Sequence, residues 1–186
     1  MEATMRHISI LMLMLAATCL ALGQGTPAQP PKPGPEHQKL AGLVGNWTDE
    51  GEATESPFEP AEKWSGTIRS EWFTGNFAVV RHRDEKSSVS GEIHSLDVIT
   101  YDRREKTYTW YAVNSQGGGG HLSKASISDD VLTMTSEFQA KGKTYKIRYT
   151  LKGLGGDRLA FVGEYSEDGT TWKAYLHSTD TRVKSK

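Results

Sequence analysis

The sequence predicts a closed, up-and-down antiparallel β-barrel of about ten strands with a short helix in front of it. Three observations carry this reading. From Asn46 onward, apolar residues recur with period two over segments of strand length. Turn-forming clusters separate these segments at close to the roughly 8–12-residue spacing of sandwiches and barrels. The connections are all short, which makes successive strands antiparallel neighbours. A meander without crossovers closes on itself and leaves no edge strand bare.

The chain opens on a segment that is not fold material. Residues 1–23 read as an export signal, with Arg6 in a polar opening, an apolar run Ile8–Leu22, and small residues Ala21 and Gly23 before Gln24. Met5 serves as an alternative start to Met1. The apolar run falls short of the roughly 20 residues of a membrane span. The mature chain is therefore expected to have no stable span and to be exported, periplasmic or secreted. Cys19, the only cysteine, lies inside this signal. The mature domain thus has no disulfide, thiol nucleophile or thiolate metal site. Residues 24–34 carry prolines 27, 30, 31 and 33 and read as a flexible spacer. One domain, 35–186, follows.

Pro35 suits a first helical position and Glu36 the positive end of a helix dipole. His37, Leu40, Ala41 and Val44 recur at helical spacing up to Gly45, a left-handed cap. A helix of about ten residues cannot stand alone and must plug or cap an apolar surface. The expected strands are 46–54, 63–73, 77–84, 91–101, 107–115, 121–128, 131–139, 144–153, 158–166 and 171–180. In the second, Trp64, Gly66, Ile68, Ser70 and Trp72 share a face opposite Lys63, Ser65, Thr67, Arg69 and Glu71. Tyr145, Ile147, Tyr149 and Leu151 align in the eighth, Leu159, Phe161, Gly163 and Tyr165 in the ninth, and Trp172, Ala174 and Leu176 in the tenth. Each strand has one dry and one wet face, and closure buries the dry faces together.

The charges narrow the function. There are 22 Lys and Arg against 23 Asp and Glu, a net charge of −1, with both signs interspersed. No basic block points to nucleic acid, and no basic amphipathic helix points to a membrane surface. No Gly-x-Ser-x-Gly elbow and no glycine-rich loop opening a helix occurs. The histidines are scattered singly, without ligand spacing. No catalytic residue and no metal site is assigned.

The candidate ligand-binding residues are Trp64, Trp72, Arg81, His94, Trp110 and Tyr149. The aromatic rings suit an apolar pocket with hydroxyl handles. Arg81 shares a face with Phe77 and Val79, where a guanidinium would grip a carboxylate. His94 shares a face with Leu96 and Val98, where an imidazole would titrate near neutrality. An eight-stranded interior already holds a small ligand, and ten strands make a wider one. The competing reading is a lumen filled by its own side chains.

Several segments resemble a known family. Pro35-Glu36-His37-Gln38-Lys39-Leu40-Ala41-Gly42-Leu43-Val44-Gly45-Asn46-Trp47, followed by Gly51-Glu52, resembles the opening of the bacterial domain of unknown function 1579 family. Glu71-Trp72-Phe73-Thr74-Gly75-Asn76-Phe77-Ala78-Val79, Tyr101-Asp102 and Ser166-Glu167-Asp168-Gly169-Thr170-Thr171-Trp172 resemble its later landmarks. The resemblance implies a lipocalin-like (calycin) barrel with a short N-terminal helix, and no known activity. It also implies structural roles for Trp47, in a calycin-type Gly-x-Trp signature closing the barrel floor, and for Arg182 above its indole. A looser similarity is to nitrobindin-like haem barrels, which carry a proximal histidine near the start of the last strand. Here that stretch reads Gly169-Thr170-Thr171-Trp172-Lys173-Ala174, and His177 lies too far on. With no histidine there as axial ligand, no cofactor is expected.

The expected function is reversible binding of a small, mostly apolar molecule in the lumen. The alternatives are a non-catalytic envelope or interaction domain with a filled barrel, and an enzyme using His94 or Arg81 in the cavity. Ligand identity and oligomeric state stay open at this level.

Overall fold

The computed structural model describes residues 31–117 and 120–184. The expected export signal and residues 24–30 of the spacer lie outside them. Residues Pro33–Lys186 form one compact unit. Its elements run α1 (Pro35–Gln38), a 3₁₀ turn (Lys39–Leu43), β1 (Gly45–Ala53), β2 (Glu62–Trp72), β3 (Ala78–Ser87), β4 (Gly91–Asp102), β5 (Thr107–Asn114), β6 (His121–Ser128), β7 (Val131–Ala140), β8 (Lys143–Lys152), β9 (Arg158–Ser166) and β10 (Lys173–Arg182).

Each strand pairs antiparallel with the next, and β10 pairs with β1, so the ten strands form a closed barrel. The turns explain the connectivity. Lys141 and Gly142 join β7 to β8 with φ of 50° and 74°. Two successive positive φ angles make the two-residue turn whose twist matches antiparallel strands.

The helical segment differs from the expected ten-residue α-helix. After one α turn it tightens into a 3₁₀ turn. In a 3₁₀ turn, residues three apart eclipse one another. Leu40 and Leu43 therefore point the same way, and both are fully buried in the core cluster. Their neighbours are Ile68, Val79, Ile99, Leu132, Leu151 and Leu159, which form the apolar floor. The Tyr108 hydroxyl donates to the Glu36 carbonyl at 2.8 Å and pins the helix over this end.

β10 holds a second difference. A bulge between Ala174 and Leu176 inserts Tyr175 as an extra residue. A bulge shifts the alternation by one. Tyr175 is buried and Ala174 exposed, and Trp172 precedes the strand, so Trp172, Ala174 and Leu176 do not form the expected aligned face. The Trp172 ring instead lies 4.1 Å from the Arg148 guanidinium.

Trp47 and Arg182 meet at the floor. The Trp47 indole donates to the Leu43 carbonyl at 3.1 Å, and the Arg182 guanidinium lies 4.0 Å from its ring centre. Arg182 also donates from Nη1 to the Val44 carbonyl at 2.7 Å. One arginine thus ties the chain's last strand to the end of the 3₁₀ turn.

Candidate functional site

Strand alternation places a belt of charge across the middle of the lumen. Asp49 lies between Trp47 and Gly51 on the inner face of β1. Arg81, Arg83 and Glu85 follow Val79 at alternate positions of β3. Asp97 sits on β4 and Asp180 on β10. Arg81 Nη2 donates to Asp180 Oδ2 at 2.7 Å, with both side chains almost wholly buried. Its guanidinium lies 5.5 Å from the Trp110 ring centre. Arg83 donates from Nε to Glu85 Oε1 at 3.1 Å and from Nη2 to Asp49 Oδ2 at 3.4 Å. The Trp64 indole N–H completes the group, donating to the same Asp49 oxygen at 2.9 Å.

The electrostatics follow from burial. Loss of water raises the pKa of Asp49, and Glu85 raises it further, against the opposing pull of Arg83. Burial likewise raises Asp180, with Arg81 pulling it down. Burial lowers Arg83, but the carboxylates of Glu85, Asp97 and Asp49 outweigh it and raise this group. Arg83 is therefore held charged. Asp97 Oδ2 and Arg81 Nε, both buried, have no hydrogen-bond partner among the described residues.

Above the belt lies a cavity of about 230 Å³. Trp64, Trp110, Met134, Phe161, Ala112 and Leu176 give it apolar walls, with Tyr149 among them. The Tyr149 and Phe161 rings stack with centres 5.3 Å apart. Arg83, Asp97, His121 and Ser123 supply its polar atoms. His121 Nε2 is 3.0 Å from Ser136 Oγ, and the Tyr149 and Tyr175 hydroxyls are 2.9 Å apart. The Trp64 ring needs Gly51 beneath it, since a Cβ there would strike the indole and come within 2.7 Å of Ser178 Cβ.

The turn between β1 and β2 closes the end above β7 to β10. Phe58 packs edge-on against Tyr175, Phe138, Tyr165 and Tyr145, with ring centres 4.9 to 6.0 Å away. Ser56 Oγ accepts the Glu59 N–H at 3.1 Å, and the Ser56 N–H donates to the Glu59 carbonyl at 2.9 Å. Burial of the Glu59 carboxyl, helped by Glu62, lifts its pKa from 4.5 to about 7. Freed from the turn, the group titrates near 4.5 again. An acid raised in the folded state supports the closed turn fully below 4.5 and loses that support as pH rises to about 7. Reduced by solvent screening of this partly exposed carboxyl, the loss is on the order of 2 kcal/mol. Glu59→Gln is expected to hold the turn shut at pH 8 and to flatten its pH dependence between pH 5 and 8. Hydrogen exchange at the Ser56 amide reads this directly; an unchanged pH dependence in the variant would remove Glu59 as the cause.

Of the six residues expected at the ligand, Trp64, Trp110 and Tyr149 share the cavity wall. Arg81 lies outside that wall and is paired with Asp180. Trp72 lies near the floor end of β2 and borders an outer groove with Phe73, Val80 and Leu96. His94 is a correction. It is on the outer wall, 64% exposed, with Nδ1 2.7 Å from Asp84 Oδ1. The inner face of β4 is Ile93, Ser95, Asp97 and Ile99, so the apolar pair Leu96 and Val98 marks the outside. Sequence reasoning missed Arg83, Asp97, Ser123 and Met134. Two signals were available: Arg83 is two residues beyond Arg81 on one strand, and Asp97 is an acid inside an apolar run. Among the described residues no group of three or more His, Cys, Asp or Glu could hold a metal ion. His177 is exposed on β10.

Residues 32–182 match a family model described as "Protein of unknown function (DUF1579)". The chain belongs to this family. No curated protein matches it by sequence. Among solved structures, this DUF1579 barrel is similar to Rv2717c from M. tuberculosis, with a TM-score of 0.55 at 14% identity over 81% of this chain and 99% of that one. It is also similar to the S-type phycobiliprotein lyase CPES from Guillardia theta, with a TM-score of 0.56 at 11% identity over 81% of this chain and 94% of that one. At such identities the likeness is one of fold.

Proposed function

We propose that this DUF1579 protein is an exported barrel that reversibly binds a small, mostly apolar molecule in its lumen. One observation carries the reading: the ten-stranded barrel is not filled by its own side chains but keeps a cavity of about 230 Å³ walled by aromatic rings. An apolar cavity of roughly 150 Å³ already admits benzene. The space here suits a compact aromatic molecule rather than a long acyl chain. A few fixed polar groups in an apolar wall are the usual form of a small-molecule site. The open cavity disfavours the filled-barrel alternative. Enzymatic use of His94 loses its footing because that residue is outside, and Arg81 is paired with Asp180. Export is supported by the apolar run 8–22 and by the small residues Ala21 and Gly23 before Gln24. Among the described residues no helix is long and apolar enough to cross a membrane.

Titration with the neutral fluorophore N-phenyl-1-naphthylamine tests the lumen. Ala112→Phe places a ring in the cavity and is expected to weaken binding at least tenfold, about 1.4 kcal/mol, with the melting temperature nearly kept. Ser123→Leu is a second filling variant should the first disturb folding. Equal affinity in both variants would end the reading. The export part is separate: N-terminal sequencing of the cellular protein should find a chain beginning at Gln24, and an intact residue 1–23 segment on cytoplasmic protein would contradict it.

A further inference from the structure

We infer that the lumen selects its ligand through a hydrogen-bond donor offered to Asp97, so that its occupant is a neutral or cationic ring molecule bearing an N–H or O–H group and not a carboxylate. The inference rests on the lumen being a binding site and specifies what that site takes.

The belt contains four carboxyl groups, Asp49, Glu85, Asp97 and Asp180, and two guanidinium groups, Arg81 and Arg83. Arg81 is matched by Asp180, and Arg83 by Glu85 and Asp49. Asp97 is left over. It stands directly opposite Arg81 in the β3–β4 register, yet the Arg81 ion pair is made with Asp180. Asp97 is 3% exposed, forms part of the cavity wall, and has a buried Oδ2 without a partner. A buried polar atom left unpaired is costly, and a ligand donor against Asp97 in the cavity wall relieves that cost by drawing its carboxyl round toward the cavity.

The same pairing rejects anions. An entering carboxylate meets one guanidinium in the wall, Arg83, whose charge Glu85, Asp97 and Asp49 already offset. It also meets Asp97 with like charge. Arg81 Nε is unpartnered, but Arg81 is not part of the wall. What remains of Arg83 suits a neutral acceptor such as a carbonyl. The remaining wall is aromatic and aliphatic, which fixes the ligand as a flat body with one polar edge. Arg81, the residue the sequence offered as a carboxylate grip, is instead part of the frame.

Four naphthalene probes of one size decide it: naphthalene, 2-naphthol, 1-naphthylmethylammonium and 1-naphthoate. Each is titrated at pH 7.5 by displacement of N-phenyl-1-naphthylamine. The ammonium and the naphthol are expected to bind at least tenfold tighter than the naphthoate. Asp97→Asn is expected to weaken the ammonium at least tenfold and to bring the naphthoate within about threefold of the naphthol. Naphthoate binding as tightly as the ammonium to the wild type, or an affinity order that Asp97→Asn leaves unchanged, overturns the inference while the lumen site stands. Failure of all four probes and of the fluorophore overturns the lumen site, and the inference with it. Should Asp97→Asn not fold, the wild-type order of affinities decides alone.

Discussion

Arg81→Ala is expected to destabilise the barrel by about 3–5 kcal/mol, because removing one member of a buried ion pair leaves an uncompensated charge. Arg81 and Asp180 side chains are 2% and 5% exposed, and their 2.7 Å contact joins β3 to β10, which are not neighbours in the ring. Truncation also removes the guanidinium from beside Trp110. In a domain of this size each kcal/mol moves the melting temperature by roughly 2–4 °C, so a drop of about 6–20 °C is expected by thermal circular dichroism. The loss should grow with pH. Burial already raises Asp180, and Arg81 is the main group pulling it back. Without Arg81 the folded-state pKa rises further. The penalty is absent while the unfolded carboxyl is protonated, below about 3.9, and increases as pH climbs toward the folded value. The double variant Arg81→Met, Asp180→Leu replaces the pair with apolar groups and is expected to recover most of the stability. A single variant within about 1 kcal/mol of wild type would mean that the pair does not frame the lumen.

Trp47→Ala is expected to cost about 3–5 kcal/mol as well, by a different route. Trp47 is 1% exposed and sits where the floor, the 3₁₀ turn and β10 meet. Its loss opens a cavity, leaves the buried Leu43 carbonyl without the indole donor, and removes the ring under Arg182. The helical segment has only one α turn and one 3₁₀ turn, too little to persist without packing. Amides of residues 35–44 should therefore exchange much faster than those of β7 and β8, which lie on the far side of the ring. Uniform acceleration across the barrel would instead mean that Trp47 contributes to the core as a whole and does not latch the floor.

The ring of strands was legible because a short connection and a period of two leave a chain few choices. Asp129-Asp130 and Lys141-Gly142 each join successive strands through two residues, which leaves antiparallel pairing. The resemblance placed Trp47 and Arg182 in the same region, where the structure stacks them. What escaped the sequence was set by tertiary contacts. One inserted residue, Tyr175, reverses the alternation in β10, and nothing in the local pattern distinguishes a bulge from regular strand. On β4, Leu96 and Val98 read as an inner face because they are apolar, yet they cover the outer wall and leave Asp97 inside. The belt of charges was illegible for the same reason: Arg81 looks like a free ligand-binding group until Asp180, 99 positions away, is seen against it. Charges that satisfy one another across a lumen have no signature in sequence spacing.

Native mass spectrometry on the protein purified from its own cells, before and after denaturation, tests most directly whether the lumen is a binding site. The account predicts a small aromatic or heteroaromatic compound with a hydrogen-bond donor, released on unfolding and missing from Ala112→Phe. Identical native and denatured masses, with no displacement of N-phenyl-1-naphthylamine by any of the naphthalene probes, would contradict it.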